Sequence, residues 1–341
     1  MRTFSHPGYK RFLLSVGCLL SIHFTALFFL TLFRLVFFFS ANYDFPDQEH
    51  VGFMSIWPAF IRGVWFDNVI ACYILLIPLV AVSISALFNY YGKILWNVTC
   101  IFFSLFYGIV LLVTAANIPY FQYFFKIINS SVFNWFGYMN TTAGMVFGET
   151  SYYPPLIGFL LTLVLFIWLM RRLIRHFQRL LNTKNPSVFW LDRIYIFLTA
   201  CICIGLCLFG IRGRTGYNPI KVSAAYYCTD PFLNQLGISP VFNLLSSTLD
   251  DSRKENRYLH LMPENEALEN TRHYLNRPGI EGISPIARQI NASDSLRRPN
   301  IVLIFMESMS AHLMKRFGQQ KELTPFLDSL YRQSLAFSNF Y

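Results

Sequence analysis

Charge is what this sequence has least of. Asp, Glu, Lys and Arg make up 13% of its 341 residues, about half the share usual in soluble globular chains. Apolar side chains reach 54% and the mean hydropathy is +0.41. That composition excludes an ordinary soluble domain and leaves a membrane protein. Acids are scarcer than bases, 18 against 28, for a net charge of +10. The basic excess lies in short loops between apolar runs, with no basic face on a folded domain, so it does not imply a nucleic-acid partner.

Thiols outside the apolar runs are nearly missing as well. Cys18, Cys72, Cys100, Cys201, Cys203 and Cys207 lie inside the runs, where a thiol acts as a small apolar packer, and Cys228 stands alone outside them. No disulfide framework follows from that distribution. A Gly-x-Ser-x-Gly elbow is also absent around Ser308 and Ser310, which read as hydrogen-bonding loop residues rather than nucleophiles.

What the chain does have is long apolar runs of the length that crosses a bilayer, roughly 20 residues. Five are present, at about Phe12–Phe33, Val69–Phe88, Ile94–Ala116, Leu156–Met170 and Ile194–Ile211. The first is too long for a removable leader and lacks a small-residue cleavage site, so it stays as an anchor. Basic residues set the expected orientation. Arg2, Lys10 and Arg11, then Lys93, then Arg171, Arg172, Arg175, Arg179, Lys184 and Arg193 mark cytoplasmic ends. The alternate loops, Ala41–Asn68 and Asn117–Pro155, carry Asp44, Asp47, Glu49, Asp67 and Glu149 against only Arg62 and Lys126, and face outward. Five crossings then place everything after Arg212 outside the membrane. Arg34, Arg212 and Arg214 read as cations snorkelling to the interface rather than as a headgroup site. Phe121, Tyr123, Phe124, Phe125, Phe133, Trp135, Phe136 and Tyr138 suit one or two interfacial helices, of the kind that anchors or that shapes a lipid entrance.

From Arg212 to Arg298 runs a connector. Its first part mixes Gly, Pro and aromatics and suits a segment lying along the membrane face. Its second part is polar, and Glu264, Glu266 and Glu269 ahead of Arg272 and Arg277 predict a solvated linker helix.

The last segment changes character. Ile301–Phe305 is a β-branched-rich apolar run entered from Pro299-Asn300, which predicts a buried strand with Glu307 just past its carboxyl end, where open α/β sheets bind ligands. Thr324, Pro325 and Asp328 predict the N-cap, first position and first turn of a helix with Leu327, Leu330, Tyr331 and Leu335 on its apolar face. Ala336–Tyr341 completes a β-α-β unit. Taken alone, Glu307 reads first as a solvated acid at a strand end, paired with Lys315 or Arg316.

The runs Asn300–Ser308, ending "MES", and Thr324–Tyr341, "TPFLDSLYRQSLAFSNFY", resemble the opening of the catalytic domain in the alkaline phosphatase and sulfatase superfamily, most closely the lipoteichoic acid synthase branch of phosphoglycerol transferases. Five spans ahead of an external domain match that branch too. The resemblance implies a polytopic five-helix membrane domain (1–211), an extracytoplasmic connector (212–298) and the start of an alkaline-phosphatase-like α/β domain (299–341) in a bacterial cell membrane. It implies that Glu307 ligates a divalent metal, Mn2+ foremost, with Mg2+ or Zn2+ as alternatives. It further implies phosphatidylglycerol as donor and a cell-envelope glycan or glycolipid as acceptor. In the family the nucleophile and the other metal ligands come later, so the nucleophile is expected beyond Tyr341 and the 341 residues alone are expected to be inactive. A sulfatase of the same superfamily and a non-catalytic membrane anchor are the alternatives.

Overall fold

The computed structural model describes residues 6–41, 53–181, 190–253, 261–275, 286–287, 300 and 302–335. The chain divides into two compact units, Met1–Leu259 and His260–Tyr341.

The first unit is a helical bundle. Its five long helices are α1 (Pro7–Ser40), α2 (Phe53–Leu87), α3 (Lys93–Phe124), α5 (Tyr153–Leu181) and α6 (Trp190–Arg212). All five are long and apolar enough to cross a membrane, so the bundle is that of a multi-pass membrane protein. Without water to hydrogen-bond it, spanning backbone satisfies itself, and the helix does this within one segment. Each helix outruns its apolar stretch, because helical hydrogen bonding continues into the interface. Residues 53–68, expected in a loop, form the first turns of α2 and correct the sequence reading. The basic run Arg171 to Arg179 likewise extends α5.

α1 lies at the centre and touches the other four, with α2 against α6 on one side and α3 against α5 on the other. Its buried face carries Phe12, Leu19, Ile22, Phe29 and Phe33. One end of the bundle is knitted by polar contacts. Asp192, fully buried, accepts from the Gly8 N–H at 3.3 Å and lies 2.7 Å from His6 Nδ1. Arg11 donates to the Leu181 carbonyl at the last residue of α5, at 2.7 and 3.2 Å, where cations meet the negative helix end. Arg11 therefore serves as a structural bolt as well as a basic marker.

The opposite end is capped by the connector. After Arg212 come a 3-10 turn (Val222–Ala225), α7 (Pro231–Leu236) and α8 (Pro240–Ser252), which pack on α1, α2 and α3. Phe232 and Leu236 are buried there, with the Phe232 ring 5.7 Å from Phe37 and 5.6 Å from Phe121. The membrane bundle and residues up to 253 thus form one packed unit. Arg212 and Arg214 hold the turn that starts this cap, donating to the carbonyls of Gly216, Tyr217 and Asn218. Between α3 and α5 lie a 3-10 segment (Ser130–Tyr138) and a short α4 (Met139–Gly148); of the aromatic residues expected in interfacial helices, Phe133, Trp135, Phe136 and Tyr138 fall on the 3-10 segment, whereas Phe121, Tyr123 and Phe124 belong to the end of α3.

The second unit contains α9 (Glu264–Leu275), which is the expected linker helix, and α10 (Pro325–Gln333). Among the described residues no strand occurs. Residues 302–306 are neither helical nor in a ladder, and Phe305 is 89% exposed. A strand is defined by its pairing, and these residues have no described neighbour with which to pair. The expected second strand, 336–341, lies outside the described residues, as do Ile301 and Arg277.

Candidate functional site

Glu307 occupies a turn and is exposed. The next residue, Ser308, takes a left-handed conformation with φ of 59°, uncommon for a residue with a Cβ and met more often at functional turns than elsewhere. The basic partners that a solvated Glu307 invites are otherwise engaged. Lys315 Nζ lies 3.2 Å from Glu322 Oε1, and the Arg316 guanidinium sits 3.9 Å over the Tyr331 ring.

The better-built feature nearby is a clasp around Asp328. Its Oδ2 accepts from the Lys315 N–H at 3.2 Å and from the Thr324 hydroxyl at 3.1 Å, and its Oδ1 accepts from the Arg316 N–H at 3.4 Å. Partial shielding from water raises the Asp328 carboxyl. The two backbone N–H groups, the Thr324 hydroxyl and Arg332 outweigh that effect and hold it below the usual carboxylate range. Thr324 sits at the N-cap position of α10, but its side chain does not cap the helix. Its hydroxyl serves the clasp instead, which corrects its expected role. Pro325 and Asp328 take the positions expected of them.

A hard divalent cation takes about six oxygen ligands. Glu307 offers one carboxylate, and Asp328 is committed to backbone N–H groups. Among the described residues no group of three or more His, Cys, Asp or Glu could hold a metal ion. The described part of this segment does not by itself make a metal site.

Sequence reasoning missed the most strongly built polar site, which lies inside the bundle. Arg34 of α1 is 5% exposed and Asp67 of α2 is 2% exposed. The Arg34 Nη2 donates to Asp67 Oδ2 at 2.6 Å, while its Nη1 donates to the Leu236 carbonyl and, at 3.1 Å, to the Ile238 carbonyl. The guanidinium thus ties two membrane helices to the connector cap. Gly63 makes room for it, since a Cβ there would overlap the guanidinium. The snorkelling reading of Arg34 is corrected by this burial, and Asp67 is a buried, paired acid of α2 rather than a loop charge. The available signal was an acid, Asp67, beside an apolar run, with Arg34 and Arg62 as candidate partners, since charges in or near a span pair with one another.

A second polar contact lies on the same helices, with His23 Nε2 3.0 Å from Asn68 Oδ1. All seven cysteines are free thiols; Cys207 donates to the Cys72 carbonyl at 3.3 Å.

The fold and these contacts define a multi-pass helical membrane protein with a packed cap at one end of its bundle. Comparison with protein-family models, with curated proteins and with solved structures gives no match.

Proposed function

We propose that the chain is the membrane-anchored part of a metal-dependent phosphoglycerol transferase of the lipoteichoic acid synthase type, working on lipid-linked substrate at the outer face of a bacterial cell membrane. The observation that carries this reading is the succession of five apolar helices, a capped bundle end, a linker helix and then the Met306-Glu307-Ser308 turn followed by the Thr324–Asp328 helix start. In this reading residues 301–305 and 336–341 become the first two strands of an α/β domain once sheet neighbours lie beside them. Glu307, past the end of the first strand, contributes one oxygen ligand to a divalent cation, Mn2+ before Mg2+ or Zn2+. Asp328 acts by holding the 313–317 backbone against α10, so that the loop carrying Glu307 starts from a fixed base. The donor is phosphatidylglycerol and the acceptor a cell-envelope glycan or glycolipid.

The test uses the native protein in its own membranes, supplied with phosphatidylglycerol carrying a fluorescent acyl chain and with Mn2+, beside a parallel assay with an aryl sulfate. Release of fluorescent diacylglycerol supports the transferase. Sulfate release without diacylglycerol would make the chain a sulfatase, and neither product would leave it a non-catalytic anchor.

A further inference from the structure

α3 and α5 pack closely over only part of their length. Tyr107 and Phe166 lie with ring centroids 5.3 Å apart, and Leu163 closes on Gly108, where an added Cβ would sit 3.6 Å from its Cδ1. Beyond that contact the helices part. α3 presents Leu112, Ala115, Ala116 and Pro119, too small to fill the gap, and α5 presents Leu156 and Phe159. The result is a cavity of about 850 Å³, within the range of roughly 300–1,000 Å³ typical of small-ligand sites.

Its polar groups are confined to one end. There the 3-10 segment (Tyr138), α4 (Thr141, Thr142) and the turn between α4 and α5 (Glu149, Tyr152) form the wall, beside Tyr120 of α3. At about 1.5 Å per residue, α3 rises about 18 Å from Leu112 to its end at Phe124. Half of a hydrocarbon core of about 30 Å is about 15 Å. The cavity therefore has about the depth of one leaflet, an apolar floor and a hydroxyl-bearing mouth. Leu112 is 46% exposed, so the floor is reached sideways from the surface of α3.

We propose that this cavity between α3 and α5 is a binding site for one acyl chain of a membrane lipid, with the chain end at Leu112 and the headgroup at the Tyr138–Tyr152 mouth. A chain of one leaflet matches the depth and the single polar end. A partner helix would run across the whole core and need an apolar face on both halves, whereas α3 and α5 are already in contact below Leu112. The inference rests on the cavity alone and holds whether or not the protein transfers glycerophosphate.

The test is photocrosslinking of the full chain, purified into nanodiscs that contain phosphatidylcholine probes rather than the proposed donor lipid. One probe carries a diazirine at the chain terminus and the other beside the ester. The terminal probe is expected to label peptides containing Leu112, Ala116 and Phe159 at least fivefold more than those containing Ile202 and Leu206 of α6, which are as exposed or more so. The ester-proximal probe is expected to label Tyr138 and Tyr152. Leu112→Trp, at a position already half-exposed, should cut the terminal labelling at least fivefold and leave α6 labelling unchanged; Ala116→Phe serves the same purpose should Leu112→Trp not fold. Equal labelling of α3, α5 and α6, or labelling unchanged by either substitution, would overturn the site.

Discussion

Within the bundle, the contact with the most at stake is the one between Arg34 and Asp67. Two charges taken out of water are tolerated only when each is paired and the remaining donors are used, and here the guanidinium has the Leu236 and Ile238 carbonyls as well as the carboxylate. Removing one partner leaves the other charge buried, at a cost of about 3–5 kcal/mol. Arg34→Met and Asp67→Leu should each lower the thermal midpoint of the detergent-purified protein sharply. The double substitution should recover most of the loss, because it removes the orphaned charge. Gly63→Ala extends the test. It should destabilise the wild-type background, where its Cβ meets the guanidinium, and be far milder beside Arg34→Met, a coupling that a double-mutant cycle measures directly. Neither role was legible in the sequence. An Arg near the end of a span looks like a snorkelling cation, and Asp67 counts as a loop acid until α2 is known to begin at Phe53.

Among the elements, the long helices were the most readable, because a twenty-residue apolar run has one economical structure in a bilayer. The linker helix Glu264–Leu275 was readable from its charge order alone, acids leading bases. The cap formed by α7 and α8 was not. Its apolar residues come in runs as short as Phe232-Leu233 and Leu244-Leu245, too short to read as a span, and only the bundle end supplies the surface that buries Phe232 and Leu236. The strand expected over 301–305 is not seen at its described residues, 302–305, for the converse reason, since its identity depends on neighbours that the local sequence does not provide. The clasp around Asp328 makes a prediction about pH. Its carboxyl is lowered in the folded chain, so its contribution is complete above the unfolded value, about 3.9, and is lost as pH falls through the lower folded value. Hydrogen-exchange protection of the Lys315 and Arg316 amides should therefore persist at pH 5 and drop as the solution is acidified below about 4. Asp328→Asn should show the reduced protection at both pH values. Equal protection of wild type and variant would show that the clasp does not hold this loop.

Taken whole, the molecule sorts its charge. Basic side chains gather at one end of the bundle, around Lys10, Lys93 and Arg171 to Arg193, while the other end carries the connector and the polar mouth of the α3–α5 cavity. The positive-inside rule predicts that the basic end faces the cytoplasm. A cysteine introduced at the highly exposed Tyr217, in a background without Cys228, should react with a membrane-impermeant maleimide on intact cells, and one at Lys93 should react only after lysis. The reverse pattern would put the connector and the Glu307 segment on the cytoplasmic side and remove them from any envelope substrate. The most direct test of the transferase reading is diacylglycerol release from phosphatidylglycerol by the native protein in its membranes, compared with its Glu307→Gln variant. Release that depends on added Mn2+ and falls at least a hundredfold in the variant is the predicted result. Release equal in the two proteins, or obtained from residues 1–341 alone, would contradict it.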